Sequence, residues 1–314
     1  MSKAPFPVDP YLTGIALAYK NRALIADAVL PRMEPPYTKE TFKYSKWTLA
    51  EGFTLPDTKV GRKSAPSEVE FTATEVPDST QDYGLDDIVP FTDEMNASPS
   101  LDPGGRATEG LTDLILLDRE KRVADLVFNN NTYPSGNKAT LSGNSQWSDF
   151  TNSDPIAAIT TALDVPIIRP NTMVIGRAAY SVLARHPKIV AAVAGMTTTA
   201  GAGIARRGQI AELFELEEVL VGESFVNTAK KGQTATMARI WGKNCALLYR
   251  DRLAAGSTGR VTFGWTAQFG TRVAGQMEEP KIGLRGSSRY RVGESVKEVI
   301  AANDVAYYFD AAVA

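Results

Sequence analysis

Two short segments alternate between polar and apolar residues, Thr41-Phe42-Lys43-Tyr44-Ser45-Lys46 and, more strictly, Glu68-Val69-Glu70-Phe71-Thr72-Ala73-Thr74, with a polar run holding Gly52, Pro56, Gly61 and Pro66 between them. Alternation sends successive side chains to opposite faces, so the spacing predicts two strands of one long β-hairpin with an elongated, pliant tip. Two strands alone are marginal in water because they can bury neither face. The hairpin therefore has to lie against something, either the rest of its own chain or another copy. The aromatics available for that contact are Phe42, Tyr44, Trp47 and Phe53, and the sequence does not choose between the two suppliers.

The segments around the hairpin have helical period. Residues 9 to 33 open with Asp9-Pro10, a cap and first-turn signal, and place Leu12, Ile15, Ala16 and Tyr19, then Leu24, Ile25, Ala28 and Val29, at helical spacing before Pro31. This reads equally as an amphipathic arm reaching a neighbour and as a helix packed on its own domain. Residues 102 to 130 form the clearest helix, capped by Asp102 with Pro103 in the first turn, carrying Leu111, Leu114, Ile115, Val123, Leu126 and Val127, and pairing Asp118 with Arg122 at i,i+4. At 1.5 Å per residue it spans roughly 40 Å, a strut as well as a core element.

A polar, turn-rich stretch, 129 to 154, marks a boundary. After it the pattern predicts a helix capped by Asp154-Pro155 and running to Leu163, a buried strand at Asn171 to Gly176, a helix over Ala178 to Ala194, and short strands at 217–223, 238–241 and 245–249. The last stretch adds a strand at Val261 to Phe269, a linker, and strands at Val296 to Ile300 and Val305 to Phe309. The class is α+β.

Composition removes most chemistry. The 314 residues hold one cysteine, Cys245, and one histidine, His186, so an intrachain disulfide, a cysteine-built zinc site and a histidine-rich metal centre are all excluded. His186 precedes Pro187 at a helix end, where the expectation is service to a C-terminal dipole rather than catalysis. Net charge is −2, no global field for a dedicated nucleic-acid binder. The run Gly201 to Gly208 has the wrong spacing for G-x-G-x-x-G, and Gly61-Arg62-Lys63-Ser64 lacks the first glycine of a phosphate loop. The pairs Asp86-Asp87 and Glu278-Glu279 point to opposite faces of a strand and make no two-carboxylate site. Residues 189–205 are too polar for a membrane span, and the N-terminus reads as no secretory signal, so the chain is expected to stay in the cytosol. No catalytic residue, cofactor or metal is assigned.

An arm, an extended hairpin and a strut, with no site for chemistry, point to obligate assembly. The opening DPYLTGIALAYKNRALIADAVLPR, followed by YTKETFKY, resembles the N-terminal region of tailed-bacteriophage major capsid proteins of the Hong Kong 97 fold. The segment NTMVIGRAAYSVLARHPKIVAAV resembles the strand and helix of their axial domain, and VAYYFDAAVA their closing peripheral strand. The resemblance implies an N-terminal arm at 1–36, an extended loop at 37–90, a peripheral domain at 91–149 with its spine helix at 102–130, an axial domain at 150–260, and a return to the peripheral domain at 261–314. It implies a structural subunit that assembles in the host bacterial cytoplasm, as pentamers and hexamers, into an icosahedral virion shell around double-stranded DNA. Contact with that DNA is expected to be non-specific, and no membrane is involved. Scaffolding, portal and decoration proteins are the further partners implied, with scaffolding expected as a separate protein. Expected inter-subunit contacts are Tyr11, Tyr19, Phe42, Tyr44, Trp47 and Phe53, and glycines of the hairpin tip and the 195–208 loop are expected to fit one sequence to both kinds of ring. Some relatives link lysine to asparagine between subunits. Lys39, Lys43, Lys46, Lys59 and Lys63 match no such pattern, so no cross-link is expected. An encapsulin-type compartment with the same fold, and a cytosolic enzyme with an unrecognised site, are the alternative readings.

Overall fold

The computed structural model describes residues 6–19, 23–47, 53–69, 73–98, 102–194, 203–230, 232–251 and 261–314. In chain order the arm carries helices α1 (Pro10–Ala18) and α2 (Ala26–Val29), followed by strands β1 (Thr41–Trp47), β2 (Ala73–Ser79) and β3 (Gln81–Pro90), the short helix α3 (Phe91–Asn96) and the spine helix α4 (Pro103–Val127). Next come β4 (Lys138–Thr140), α5 (Pro155–Asp164), β5 (Thr172–Gly176), α6 (Arg177–Leu183), α7 (Pro187–Ala194) and α8 (Arg207–Leu213). The strands β6 (Glu218–Gly222), β7 (Phe225–Asn227), β8 (Met237–Arg239), β9 (Cys245–Leu248), β10 (Gly264–Glu279), β11 (Ser287–Ile300) and β12 (Ala306–Asp310) complete the chain.

Two sheets organise these elements. The first is three-stranded, β10-β11-β3, antiparallel throughout. The second is five-stranded, β4-β12-β9-β5-β6, mixed in direction. The spine bridges them. Its N-terminal half packs Ala107, Leu111 and Ile115 against Ala274, Tyr290 and Val292 of the long sheet and Leu12 and Ala16 of α1. Its C-terminal half packs Val123, Ala124 and Val127 against Val174, Leu220, Ala246 and Tyr308 on one face of the five-stranded sheet. The other face of that sheet is covered by α5 to α8 through Ile159, Leu163, Leu183, Ile189 and Ile210, which is why β5 is buried at every position. The caps read from sequence are present: Asp102 accepts from the Gly105 N–H at 3.0 Å, and Asp154 from Ala157 at 3.1 Å.

The long sheet departs most from the sequence expectation. The linker expected after Phe269 is strand: β10 and β11 run for 16 and 14 residues and pair along most of their length. The alternation is present but disguised. The inward positions of β11 are Tyr290, Val292, Glu294 and Val296, so a carboxylate interrupts the apolar face, and the β10 register shifts between Phe269 and Val273 around Gly270 at φ +64°. Strand β2 is also displaced. It begins at Ala73 rather than Glu68 and runs through Pro77, which a two-stranded ribbon tolerates because both of its strands are edges. Residues 53–69 lie in no strand, and 70–72 fall outside the described residues. Residues 81–90, grouped with the extended loop above, pair with β11. The tail β12 does not join the three-stranded sheet: it lies between β4 and β9 in the five-stranded one, where Ala306 and Tyr308 face one core and Phe309 the other. The helix expected over 178–194 is two helices, broken at His186-Pro187. Of the expected 195–208 loop, 195–202 lie outside the described residues, and Arg207 and Gly208 begin α8.

The arm packs on its own chain. It runs along the outer edge of β10: the Asp9 N–H donates to the Ala274 carbonyl at 3.1 Å, Met33 to Thr266 at 2.9 Å and Tyr37 to Gln268 at 2.8 Å, covering an edge that would otherwise be bare. The approach at Gly275 is close enough that a Cβ there would overlap the Pro7 carbonyl and meet the Phe6 ring at 2.8 Å. Gly275→Val is therefore expected to lift the first turn of the arm from the sheet, at a cost of about 1–3 kcal/mol. Hydrogen exchange should then show lost protection at the Asp9 amide, while the five-stranded sheet keeps its own.

Candidate functional site

Residues with catalytic potential are spent on structure. The Cys245 thiol is buried on β9, which pushes its pKa up and leaves it inert. His186 is buried in the turn between the C-terminal end of α6 and the start of α7. Its Nδ1 accepts the Lys188 N–H at 3.3 Å and its Nε2 lies 3.1 Å from the Ser153 hydroxyl. Burial, helped by the nearby Lys188 charge, lowers its pKa, so the ring stays neutral and serves as a cap. Among the described residues no group of three or more His, Cys, Asp and Glu could hold a metal ion, and no helix is long and apolar enough to cross a membrane.

The functional surfaces are built instead on a buried charge network that fixes the arm, the spine and the long sheet together. Arg119 on the spine is 1 % exposed. It pairs with Asp27 of the arm and donates to the Leu30 carbonyl at 3.1 Å and the Thr266 hydroxyl of β10 at 3.0 Å. Glu294 of β11, 5 % exposed, receives Arg32 of the arm at 3.0 Å and Arg272 of β10 at 2.9 Å. Burial alone would raise the Glu294 pKa, but the fields of Arg32, Arg272 and Arg119 outweigh it and hold the carboxyl below its usual range. Arg122, one turn on from Asp118 and paired with it as expected, also reaches Glu298 at 3.1 Å and lies 3.6 Å over the Tyr83 ring of β3. Glu120 faces the second sheet. It accepts from the N–H groups of Ile25 and Ala26, from Trp241 Nε1 at 2.5 Å and from Ser224 at 3.3 Å, while burial raises its pKa against the pull of those donors.

Sequence reasoning missed Arg119, Glu120, Arg272, Glu294 and Trp241. A signal existed in the spine: Leu111, Ile115 and Val123 recur at four-residue steps with Arg119 at the missing step, and Leu116 and Ala124 do so with Glu120. Charged residues on the buried stripe of a helix have to be paired.

The named contact residues divide. Phe42, 5 % exposed, stacks on Tyr37 at 4.7 Å and packs against Trp265 at 6.0 Å, and Tyr44 meets Trp265 edge-on at 5.9 Å. Together with Ala267 and Val299 they cover the face of the long sheet opposite the spine. Ser295 donates to Thr80 at 3.0 Å across the same junction. The hairpin root is thus held by its own chain. Tyr19 is half-buried beside Asp113, burial and that carboxylate raising its pKa. Tyr11 is 64 % exposed with its hydroxyl donating to Asp102 at 3.3 Å, Phe53 is 60 % exposed, and the Trp47 side chain lies outside what the structure describes. Beyond the root, 53–69 are exposed throughout, including Leu55 and Val60.

Among solved structures the chain is similar to a phage-related protein from Bordetella bronchiseptica RB50, with a TM-score of 0.73 at 23% identity over 97% of each chain. It is also similar to the capsid of cyanophage P-SCSP1u, with a TM-score of 0.58 at 9% identity over 99% of this chain and 92% of that one. The fold is that of phage capsid proteins, the Hong Kong 97 type. No family model matches the sequence. Among curated proteins it is 53% identical to the major capsid protein of Pseudomonas phage JBD67 over the full length of both, and 31% identical over 247 residues, 77% of this chain and 76% of the relative, to that of Burkholderia phage BcepMu. The chain belongs to the family of phage major capsid proteins.

Neutralising Glu294 leaves Arg32 and Arg272 facing a group without charge. Glu294→Gln is expected to cost about 3 kcal/mol near pH 7, since removing one member of a buried pair strands the others. Because the folded pKa lies below the unfolded value of about 4.3, the carboxylate's contribution is complete above that pH and is lost as the pH falls through the depressed value. Urea unfolding of parent and variant should show the gap narrowing as the pH is taken below about 4.

Proposed function

We propose that this chain is the building unit of an icosahedral shell, present as pentamers and hexamers, that encloses a double-stranded DNA phage genome. Full-length 53% identity to a named major capsid protein is the observation that supports this most directly. The division of labour in the fold agrees with it: a body closed by its own arm, and an extended hairpin whose root is buried and whose residues 53–69 are bare. The protein is structural and its place is the virion; it has no catalytic activity of its own, and assembly takes place in the host cytoplasm. The hairpin beyond its root, with Tyr11 and Phe53, faces neighbouring subunits, the spine helix and long sheet form the peripheral body, and the five-stranded sheet with α5 to α8 forms the axial one. Glycines of the hairpin tip absorb the difference between the two ring environments. Contact with packaged DNA is non-specific, and portal, scaffolding and decoration proteins join the same shell.

Electron microscopy of the purified chain under assembly conditions tests the reading. Closed shells with five-fold and six-fold rings are expected; a population that stays monomeric or dimeric would overturn it. Absorbance of particles from infected cells should show nucleic acid, where an enzyme compartment would show protein alone. On a boiled denaturing gel the particles should run as a single band at the 33.9 kDa of one chain. A ladder of covalent multimers would contradict the expected absence of lysine to asparagine links.

A further inference from the structure

The small net charge conceals a division along the chain. Residues 150–260, the proposed axial body, hold 13 Lys and Arg against eight Asp and Glu, a net +5, while the remainder holds 21 against 28, a net −7. Between 165 and 211 there are six basic residues and no acidic one. Much of this charge gathers where the parallel strands β5 and β6 end, at Gly176 and Gly222. Arg177 opens α6 directly after β5, and Arg207 opens α8. Both pair with Oε1 of Glu223, Arg177 at 3.0 Å, and both guanidiniums lie over the Tyr180 ring, at 5.5 and 5.8 Å. Ser224 and Val226 turn toward the spine, so Glu223 and Phe225 turn away from it, and Arg239 of β8 lies 4.5 Å over the Phe225 ring. The turn that carries Lys243 closes the same end, since the Gly176 N–H donates to the Asn244 carbonyl at 3.1 Å. Lys243 is exposed, as are Arg239 and Arg206.

Nearby carboxylates do not cancel this charge. Glu223 is the one acidic residue between 219 and 250, and two arginines share it. Glu217 and Glu218 lie at the opposite end of β6, roughly 13 Å away at 3.3 Å per residue, where Asn171 and Arg250 hold them. Glu212 is exposed on α8, more than a turn beyond Arg207. Among the described residues Arg206, Arg239 and Lys243 form no ion pair. Four arginines and a lysine around a single carboxylate fit a ligand of closely repeated anionic groups. An acidic protein surface is the other class of partner, but the acidic surplus of this chain is largely taken by its own arginines, as at Asp27, Asp86, Asp118, Glu294 and Glu298. A phosphodiester backbone has no such internal partners.

We infer that this surface, Arg177, Arg206, Arg207, Arg239 and Lys243 around Glu223, is where the subunit contacts the phosphodiester backbone of the double-stranded DNA inside the shell. The inference rests on the shell reading above and gives the non-specific contact a location. Contacts from guanidinium to phosphate carry no base readout, which suits a surface that meets every stretch of a genome. Glu223 holds two guanidiniums side by side and tempers their field, so that no single subunit grips DNA tightly, and many such contacts act together around the lumen.

Fluorescence anisotropy of a labelled DNA duplex with the unassembled full-length chain, across a salt series, tests it. The logarithm of the binding constant is expected to fall against the logarithm of salt concentration with a slope of about −4, for about four phosphates. Arg206→Gln, Arg207→Gln and Arg239→Gln together should reduce that slope by about 3 and lower the affinity at low salt at least about tenfold. Glu223→Gln removes the one opposing charge and should tighten binding about threefold, whereas a cluster that serves structure alone would leave binding unchanged or weakened and overturn the proposal. A second measurement needs no variant. Ultraviolet cross-linking of DNA-filled particles, read by mass spectrometry, should place adducts on peptides containing Phe225 and Lys243; adducts confined to the peripheral body would overturn the proposal. A triple variant that binds DNA as the parent does but no longer assembles would also overturn it, marking the surface as a contact between copies. If the parent chain forms no shells, it is the shell reading that fails; if it does and neither the salt slope nor the adducts respond as stated, only the DNA-contact surface fails.

Discussion

Arg119 sits where three parts of the chain meet, and its charge can be buried only if all three arrive. The spine supplies the guanidinium, the arm supplies Asp27 and the Leu30 carbonyl, and β10 supplies the Thr266 hydroxyl. One strand further on, Glu294 needs Arg32 from the arm and Arg272 from β10. Taking such groups out of water costs several kcal/mol each, so the network is a poor source of net stability compared with apolar packing of the same volume. Its consequence is geometric. A register slip of β11 by one residue would turn Glu294 to the opposite face and leave the arginines unmatched, so the network discriminates strongly against near-native arrangements. It also makes the arm an integral part of the body, because without Asp27 the buried Arg119 loses its closest ion-pair partner, and without Arg32 Glu294 keeps Arg272 alone.

The adjacent pair Arg119-Glu120 extends that control to the second sheet. Successive residues of a helix point about 100° apart, so Arg119 faces the long sheet while Glu120 reaches Trp241 and Ser224 beside the five-stranded one. One helix thereby sets the relation between two sheets. Trp241 in turn lies where a Cβ on Gly222 would overlap it, a close approach that fixes the loop before β9 over the sheet. A subunit built this way ties one sheet to the other through a single continuous helix and the polar contacts of Arg119 and Glu120.

The sequence was legible where local rules and tertiary packing agree. The caps at Asp102 and Asp154, the buried strand at 172–176 and the spine with its Asp118–Arg122 pair all follow from short-range pattern. The long hairpin β10–β11 was not legible because its core face contains Glu294, whose partners are distant in sequence, and because Gly270 and the register shift beside it interrupt the period. Strand β2 was misplaced for a related reason: Pro77 reads as a breaker, and whether it is tolerated depends on its strand being an edge, a property of the sheet and not of the segment. The position of β12 was read from the order of elements in a family, and order does not determine which of two nearby sheets a short apolar strand joins. Of the surface residues, aromatic content alone identified Phe42 and Tyr44, whose partner proved to be Trp265 on the same chain.

That division between root and tip is what reconciles a stable subunit with an assembling one. If the whole hairpin needed a neighbour, the free chain would expose Phe42, Tyr44 and Trp265 together, an apolar patch of the kind that aggregates. Burying them locally lets the body fold before it meets a partner and leaves outside only segments in which apolar side chains are interleaved with charge, as at Lys59, Arg62 and Lys63. Such segments stay solvated while single and gain by pairing, and in a closed shell each subunit pairs several times. Weak individual contacts are then an advantage, because a misplaced subunit can leave before the shell closes around it, whereas a correctly placed one is held by every neighbour at once.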